Sequence, residues 1–329
     1  MISSPIPLDL DMKHVCIAAN IAELPWDDVK LGGVLGEGSF SSVYSAATSN
    51  RGRELLGTTE SRATKRYALK RLSEKVICDE DLCRVAAKDL TIEVTILAIL
   101  PFHENIIRLC AISAGFWKSP EKGFMLMDIA HETLHLRLSR WRVREKRAYT
   151  PLFGRQRQRC RDQQARVNSA ALGIAKGMEF LHQNRVIYRD LKPKNVGFDQ
   201  DGCVQIFDFG LARIIPKGSD GLRLTGSTGT TRYMAPEVAR CEDYAFSADI
   251  YSFAILLWEI CTLRTAFVQS SCSSSLFSRV HGGVRPAIKK IGSKWLKELL
   301  QACWHPIPKA RPSFATIVDQ LHLEMQTAI

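Results

Sequence analysis

The stretch Tyr188-Arg189-Asp190-Leu191-Lys192-Pro193-Lys194-Asn195, followed closely by Asp208-Phe209-Gly210, decides how this chain is read. It sets two carboxylates, an amide, a lysine and an arginine in two short segments joined by what reads as a hairpin. Such an inventory suits the metal-assisted transfer of a phosphoryl group onto a hydroxyl. One carboxylate can take the hydroxyl proton, while the other and the amide hold Mg2+ against the phosphates. A lone Asp-Phe-Gly would carry little weight. Two such segments in this order carry much more.

Outward from that stretch, the N-terminal side reads as strands and the C-terminal side as helices. Residues 1–23 have mixed polarity and no clear period, and are expected to form an extension. From Trp26 the pattern is strand-like, with Val29-Lys30-Leu31 and Val34-Leu35 ahead of a glycine-rich turn and Ser42-Val43-Tyr44-Ser45 behind it. The polar stretch 48–65 reads as a long loop, and Tyr67-Ala68-Leu69-Lys70 as the next strand. Residues 84–100 place Leu90, Val94, Leu97 and Leu100 on one side of a helix that Pro101 closes. Strand-like runs at 106–112 and 124–129 follow, then helical patterns at 165–183, 245–263, 294–304 and 314–326. The serine-rich piece 270–275 reads as a surface loop. Strands first and helices later imply an α+β class, a small sheet-rich lobe joined to a larger helical one.

Composition bounds the compartment and the partners. With 46% hydrophobic and 24% charged residues the balance is that of an ordinary globular protein. Ten cysteines without a C-x-x-C pair or a metal-ligand grouping suit reduced thiols, hence a cytoplasmic or nuclear setting. Asp9, Asp11 and Lys13 stand where a secretory signal would need a basic start and an apolar run. The apolar segment 245–263 carries Asp249 and Glu259, and reads as a buried helix rather than a membrane span. Ten arginines and Lys146 against only Glu145 and Asp162 give residues 137–166 a net +9 of the chain's +11. Basicity therefore belongs to one segment.

The turn Gly36-Glu37-Gly38-Ser39-Phe40-Ser41-Ser42-Val43 has a strand on each side, and its glycines let backbone N–H groups approach phosphates closely. Dinucleotide fingerprints and Walker loops run into a helix instead. Lys70 ends the following strand, and Glu93 lies in the next helix, ten residues before His103-Glu104-Asn105-Ile106. Far downstream come Gly229-Thr230-Thr231-Arg232-Tyr233-Met234-Ala235-Pro236-Glu237, then Ser247-Ala248-Asp249 and Ala310-Arg311-Pro312.

Taken in order, from about Trp26 to about Leu323, these segments resemble the eukaryotic protein kinase domain. The resemblance implies a two-lobed fold with ATP and Mg2+ in the cleft, an N-lobe over 24–128, a C-lobe over 129–323 and a tail at 324–329. It implies that Asp190 orients the substrate hydroxyl and accepts its proton, and that Lys192 neutralises the transferring phosphate. Asn195 and Asp208 would ligate the metal, and a Lys70–Glu93 ion pair would hold the α/β-phosphates. Asp89 and Glu80 fit the helical register less well than Glu93. Leu35, Gly36, Gly38, Val43 and Ala68 would enclose the nucleotide. Met127 would be the gatekeeper, with backbone groups of Asp128 and Ala130 bonding the adenine edge. Lys192, together with Thr230 bonding to Asp190 and Lys192, favours serine/threonine acceptors. The wording Arg232-Tyr233-Met234-Ala235-Pro236-Glu237 resembles the tyrosine-kinase-like group. By the same resemblance Asp249 braces the catalytic loop, Arg311 pairs with Glu237, and a phosphate on Ser219, Thr225, Ser227 or Thr228 would pair with Arg189.

Three positions depart from the pattern. Ser41 replaces the third glycine, Tyr188 stands where histidine is usual and is expected to pack against Phe209, and Gly197 falls where leucine commonly lies beneath adenine. None removes a group that would touch phosphate or metal. The expectation is a serine/threonine-type protein kinase acting on protein substrates. The alternative is a pseudokinase serving as an ATP-binding or scaffold module, which typically lacks one of Lys70, Asp190, Asn195 or Asp208. The basic stretch reads as an insertion at about 143–161. Its plain form is a solvated loop. Its sharper form is a docking surface over 137–166 for an acidic partner or anionic surface. Trp141, Tyr149 and Phe153 are too few for base stacking, so nucleic acid is disfavoured.

Overall fold

The computed structural model describes residues 21–57, 65–148, 155–216, 224–268 and 273–327. The chain divides into two compact units. One is made of the described residues up to Phe102 together with Ile107–Ala130 and Asp208–Pro216; the other takes His103–Ile106, His131–Phe207 and the described residues beyond 223.

The first unit is built on a six-stranded sheet. Its strands are β1 (Ala22–Leu24), β2 (Val29–Glu37), β3 (Ser41–Thr48), β4 (Tyr67–Leu72), β5 (Leu109–Ser113) and β6 (Met125–Met127), in the order β1-β5-β6-β4-β3-β2. β2 and β3 form an antiparallel hairpin around the glycine-rich turn, closed by Gly38 N–H donating to Ser41 O at 2.8 Å. Leu24, Ala46, Tyr67, Leu69, Ala111, Phe124 and Leu126 form one apolar cluster in this unit. The short β11 (Arg213–Ile214) belongs here as well.

Two expectations for this unit need correction. β1 begins inside the stretch 1–23 read as an extension and crosses its end: it pairs parallel with β5, and Leu24 is wholly buried. Three residues show too little period to announce a strand, and the pairing comes from a distant partner. Within the stretch read as a loop, α1 (Asn50–Leu55) forms because Ser49 caps it, its hydroxyl oxygen accepting from Gly52 N–H at 3.0 Å. Ser49 Oγ also donates to Asp28 at 2.6 Å, which ties the cap to the sheet.

After α2 (Glu74–Ile77), the long α3 (Glu80–Ile99) starts four residues earlier than the apolar period alone suggests. Asp79 caps it through Leu82 N–H, and Glu80 and Asp81 lie at the positive end of the helix dipole. It stops before Pro101, where Leu100 is extended as a residue preceding proline must be. Its buried face carries Ala86, Leu90, Val94 and Leu97, with Glu93 among them.

The second unit is mainly helical. It holds α4 (Leu134–Ala148), α5 (Arg155–Arg166), α6 (Leu172–Gln183), α7 (Pro236–Ala239), α8 (Ser247–Thr262), α9 (Ser273–His281), α10 (Lys294–Cys303) and α11 (Phe314–Thr327). A small sheet, β7 (Glu132–Thr133), β9 (Val196–Phe198) and β10 (Val204–Ile206), contains the β9–β10 hairpin and is preceded by β8 (Val186–Ile187). α8 is buried along nearly its whole length, and α6 packs against α11. Gly173 and Gly177 let α6 lie close to Val204, Ile206 and Asn105, where an added Cβ would meet side chains at 2.8 Å. Among the described residues no helix is long and apolar enough to cross a membrane.

The basic segment is not the loop that its charge suggests. Arg155–Arg166 is helical and continues through a π-helical turn (Val167–Ala171) into α6, while α4 runs on to Ala148. Arg137, Arg140, Arg142 and Arg166 also find partners within the protein. Arg137 and Arg140 share Glu132, at 2.9 and 2.8 Å. Tyr149 and Phe153 lie outside the described residues. So does part of the serine-rich piece, whose remainder, from Ser273, begins α9.

Candidate active site

In the sheet unit, β4 brings Lys70 into register with Val43 on β3 and Met125 on β6. Its Nζ lies 2.6 Å from Glu93 Oε2 and 2.7 Å from Asp208 Oδ1. Burial would lower the ammonium's pKa, but the charges of Asp208 and Glu93 outweigh it and hold Lys70 well above the ordinary lysine value. Glu93 Oε1 also accepts the N–H of Phe209 at 3.1 Å, so one carboxylate spans the lysine and the Asp208–Gly210 turn. Asp208 has a left-handed backbone, φ 69°, uncommon for a residue with a side chain and costing about 1–3 kcal/mol. Asp89, the less favoured helix carboxylate, lies 3.6 Å from Arg213 instead.

The glycine-rich turn leaves its backbone open. A Cβ on Gly36 would meet nothing within 4 Å, so no packing among the described residues demands glycine there. Ser41, in the third-glycine place, begins β3 opposite Leu72. Val43 pairs with Gly36, Leu35 is half exposed, and Ala68 on β4 is buried and paired with Met127.

At the end of β6, Asp128 is fixed from several sides. Its N–H donates to Arg108 O at 3.1 Å, and its carboxylate accepts from Arg108 Nε at 2.9 Å and Lys65 Nζ at 3.0 Å. Burial would raise the Asp128 carboxyl's pKa, yet these two cations hold it below the usual range. With the amide committed to Arg108, the carbonyl remains as the backbone group to offer a ligand edge. Ala130 ends this unit two residues later.

The helical unit carries the other half of the residues singled out in the sequence. Asp190 Oδ1 accepts both the N–H (2.9 Å) and the hydroxyl (2.7 Å) of Thr230, and Lys192 Nζ lies 2.5 Å from Asp190 Oδ2 and 3.1 Å from Thr230 Oγ1. Asn195 Nδ2 donates to Asp190 O and Oδ2, both at 3.0 Å. The amide nitrogen is thereby used, and the amide oxygen is the atom left for a hard cation such as Mg2+, which prefers oxygen ligands. Among the described residues no cluster of three or more His, Cys, Asp or Glu forms a protein-only metal site. Mg2+ usually takes one or two carboxylates together with phosphate oxygens and water.

This loop is held from below. Buried Asp249 accepts the N–H groups of Tyr188 and Arg189, each at 2.8 Å, and lies 2.9 Å from His182 Nε2. Arg189 has φ 69°, and its carbonyl faces Gly229, where an added Cβ would come within 2.3 Å. Glu237 and Arg311 form a fully buried two-pronged pair at 2.5 and 2.9 Å. Gly197 lies in β9 opposite Gln205 and Thr133.

Sequence reasoning did not anticipate two contacts. The Tyr188 hydroxyl donates to Phe207 O at 2.5 Å, a bond that only a tyrosine's reach permits. Arg189 Nη1 donates to both Thr225 Oγ1 and Tyr244 OH at 3.1 Å, and Tyr244 OH donates to Thr225 O at 2.7 Å. Tyr244 has no local signature beyond its place shortly before Asp249. Ser219 lies outside the described residues.

Comparison with known proteins agrees with this layout. The family model described as the protein kinase domain matches residues 29–323. Serine/threonine-protein kinase STY17 of Arabidopsis thaliana is 41% identical over 152 residues, 46% of this chain and 26% of that protein. Serine/threonine-protein kinase CTR1 of the same plant is 26% identical across 100% of this chain and 35% of its own length. A probable serine/threonine-protein kinase of Dictyostelium discoideum, DDB_G0267514, is 29% identical over 91% of this chain and 28% of its own length. The chain thus spans about a quarter to a third of these relatives. The matches bear out the resemblance to serine/threonine kinases of the tyrosine-kinase-like group.

Proposed function

Since the chain belongs to the protein kinase domain family, we propose that it transfers the γ-phosphate of ATP to serine or threonine hydroxyls of protein substrates. The observation that carries this reading is the arrangement at Asp190. One of its oxygens takes two donors from Thr230 and the other is bonded to Lys192 and Asn195. A carboxylate so fixed can orient an incoming hydroxyl and receive its proton. Lys192, 3.1 Å from Thr230, offers positive charge where the transferring group gains negative charge.

Lys70, fixed by Glu93, is the group we assign to the nucleotide phosphates, and we assign the turn at Gly36 and Gly38 to the same phosphates, with Gly36 open and the Gly38 N–H closing the turn on Ser41 O. Leu35, Val43 and Ala68 are assigned to the nucleotide's apolar surroundings, and the Asp128 carbonyl with the Ala130 backbone to its adenine edge. Asp208 and the Asn195 amide oxygen are assigned to Mg2+, which when bound neutralises phosphate charge. The segment from Thr230 to Glu237, fastened by Arg311, would seat the protein substrate. Arg189, already bonded to Thr225, would hold a phosphate added there and so order the segment. We place the protein in the cytoplasm or nucleus on its cysteine usage.

The alternative of a pseudokinase finds no observation in its favour: Lys70, Asp190, Asn195 and Asp208 are all present, and each has the contacts that the chemistry needs. A kinase assay with Mg-ATP and a mixed peptide library decides between the two. Asp190→Asn should remove most turnover while sparing ATP binding. If that variant phosphorylates peptides as fast as the parent, the assignment of Asp190 is wrong.

A further inference from the structure

The arginine-rich segment has a use that its charge does not suggest. α8 ends at Thr262, and Leu263 turns left-handed at φ 51°. The carbonyls of its last turn therefore need partners from outside the helix. Side chains from α4 and α5 supply them. Arg142 Nε donates to Leu263 O at 2.7 Å, Gln163 Nε2 to Cys261 O at 3.0 Å, and Arg166 Nε and Nη2 to Ile260 O and Cys261 O at 3.1 and 3.2 Å. Gln163 and Arg166 are buried, and two guanidinium groups at the negative end of a helix are favourably placed.

The same helix end supports the segment that follows Thr230. Glu259, in the last turn of α8, accepts Ala266 N–H at 2.8 Å and the Tyr233 hydroxyl at 2.9 Å. Arg232 donates to Ala266 O, and Ser252 Oγ donates to Tyr233 O at 2.8 Å. Residues 232–233 follow one residue beyond Thr230, which is bonded to Asp190. A continuous series of hydrogen bonds thus runs from α5, through the C-terminal turn of α8, to the peptide beside the candidate base.

We propose that the helix ends flanking the basic insertion act as an internal strut for the substrate platform, with Arg142, Gln163 and Arg166 as positioning residues for the Arg232–Tyr233 turn. The proposal rests on the kinase reading for its kinetic consequence but not for its structural one. Burying the Arg166 guanidinium against two carbonyls fixes the helix end in one arrangement, and Glu259 and Ala266 inherit that position. Loss of the strut should loosen the platform while leaving the nucleotide residues, which lie elsewhere in the chain, as they are.

The test uses the full chain with Gln163→Ala and Arg166→Met combined, Arg166→Lys as the conservative variant, and Arg142→Met as a milder one should the double variant fail to fold. In Mg-ATP-dependent peptide phosphorylation the double variant should raise peptide KM at least threefold, with kcat and ATP KM within twofold of the parent. Arg166→Lys should fall between. Hydrogen–deuterium exchange gives a readout that needs no activity: amides of residues 231–234 and 264–266 should exchange faster, while those of α11 keep their protection. Faster exchange confined to 155–171, or a lowered melting temperature with both KM values unchanged, would overturn the proposal. A parent protein that phosphorylates no peptide would refute the kinase reading alone, and the exchange pattern would still decide the strut.

Discussion

Thr230 gives its backbone N–H and its hydroxyl to the same oxygen of Asp190, at 2.9 and 2.7 Å. Forty residues of chain separate the two, so this contact joins the segment that runs to Glu237 with the loop that carries Asp190. Removing the hydroxyl alone, as in Thr230→Val, takes away one bond to a charged acceptor, about 1.5–3 kcal/mol. We expect kcat to fall about 10- to 100-fold with ATP binding retained, and Thr230→Ser to stay near the parent. Steady-state peptide kinetics beside fluorescent nucleotide binding would check it; a Thr230→Val protein with parental kcat would sink the assignment.

Gly229, just before Thr230, has φ 98° and faces Arg189 O so closely that a Cβ would lie 2.3 Å from it. Gly229→Ala therefore meets both a backbone strain and a clash with backbone that cannot swing aside. Activity should drop at least tenfold, and urea unfolding should register a loss of about 1–3 kcal/mol. Parental behaviour in both measurements would contradict the geometry.

The Glu237–Arg311 pair is fully buried, so deleting one partner strands the other's charge. Arg311→Ala should cost about 3–5 kcal/mol, whereas Arg311→Lys, which cannot make the two-pronged contact, should recover only part of it. Denaturant titration distinguishes the three proteins. A loss below 1 kcal/mol in Arg311→Ala would mean that water reaches Glu237.

Buried thiols give a pH dependence of known sign. Burial pushes Cys261 up to about 12, and burial followed by the Asp128 charge does the same for Cys110; Cys303 is raised as well. An unfolded thiol ionises near 8.5. Their neutral forms thus stabilise the fold fully below that pH, and this contribution is lost as pH rises from about 8.5 toward 12, at up to about 1.4 kcal/mol per pH unit per thiol. The urea midpoint should decline between pH 8 and 10, less steeply in Cys261→Ala. Native alkylation at pH 8 should label exposed Cys78 and Cys241 and spare buried Cys261 and Cys303.

The chemical groups were legible in the sequence because phosphoryl transfer needs particular residue types within short segments. Asp190, Lys192 and Asn195 sit within six residues, and no folding calculation is needed to see them together. Glu93 was legible from helical register, since it lies on the buried side of α3 with Leu90, Val94 and Leu97. Elements that borrow their stability were not legible. β1 is three residues long and exists because β5 offers it an edge. α1 exists because Ser49 finds both Gly52 and Asp28.

By itself, then, the sequence determined the family, the order of strands and helices, and the side chains able to do the chemistry, because those depend on local spacing. Only the tertiary structure decided which groups Arg142 and Arg166 meet. As a string they read as exposed charge, and a solvated face is the natural expectation of any such run. In the fold, Arg142 and Arg166 meet carbonyls at the end of a helix about a hundred residues away. A buried cation takes its meaning from the partners that replace its water, and those partners are set by how α5 lies against α8.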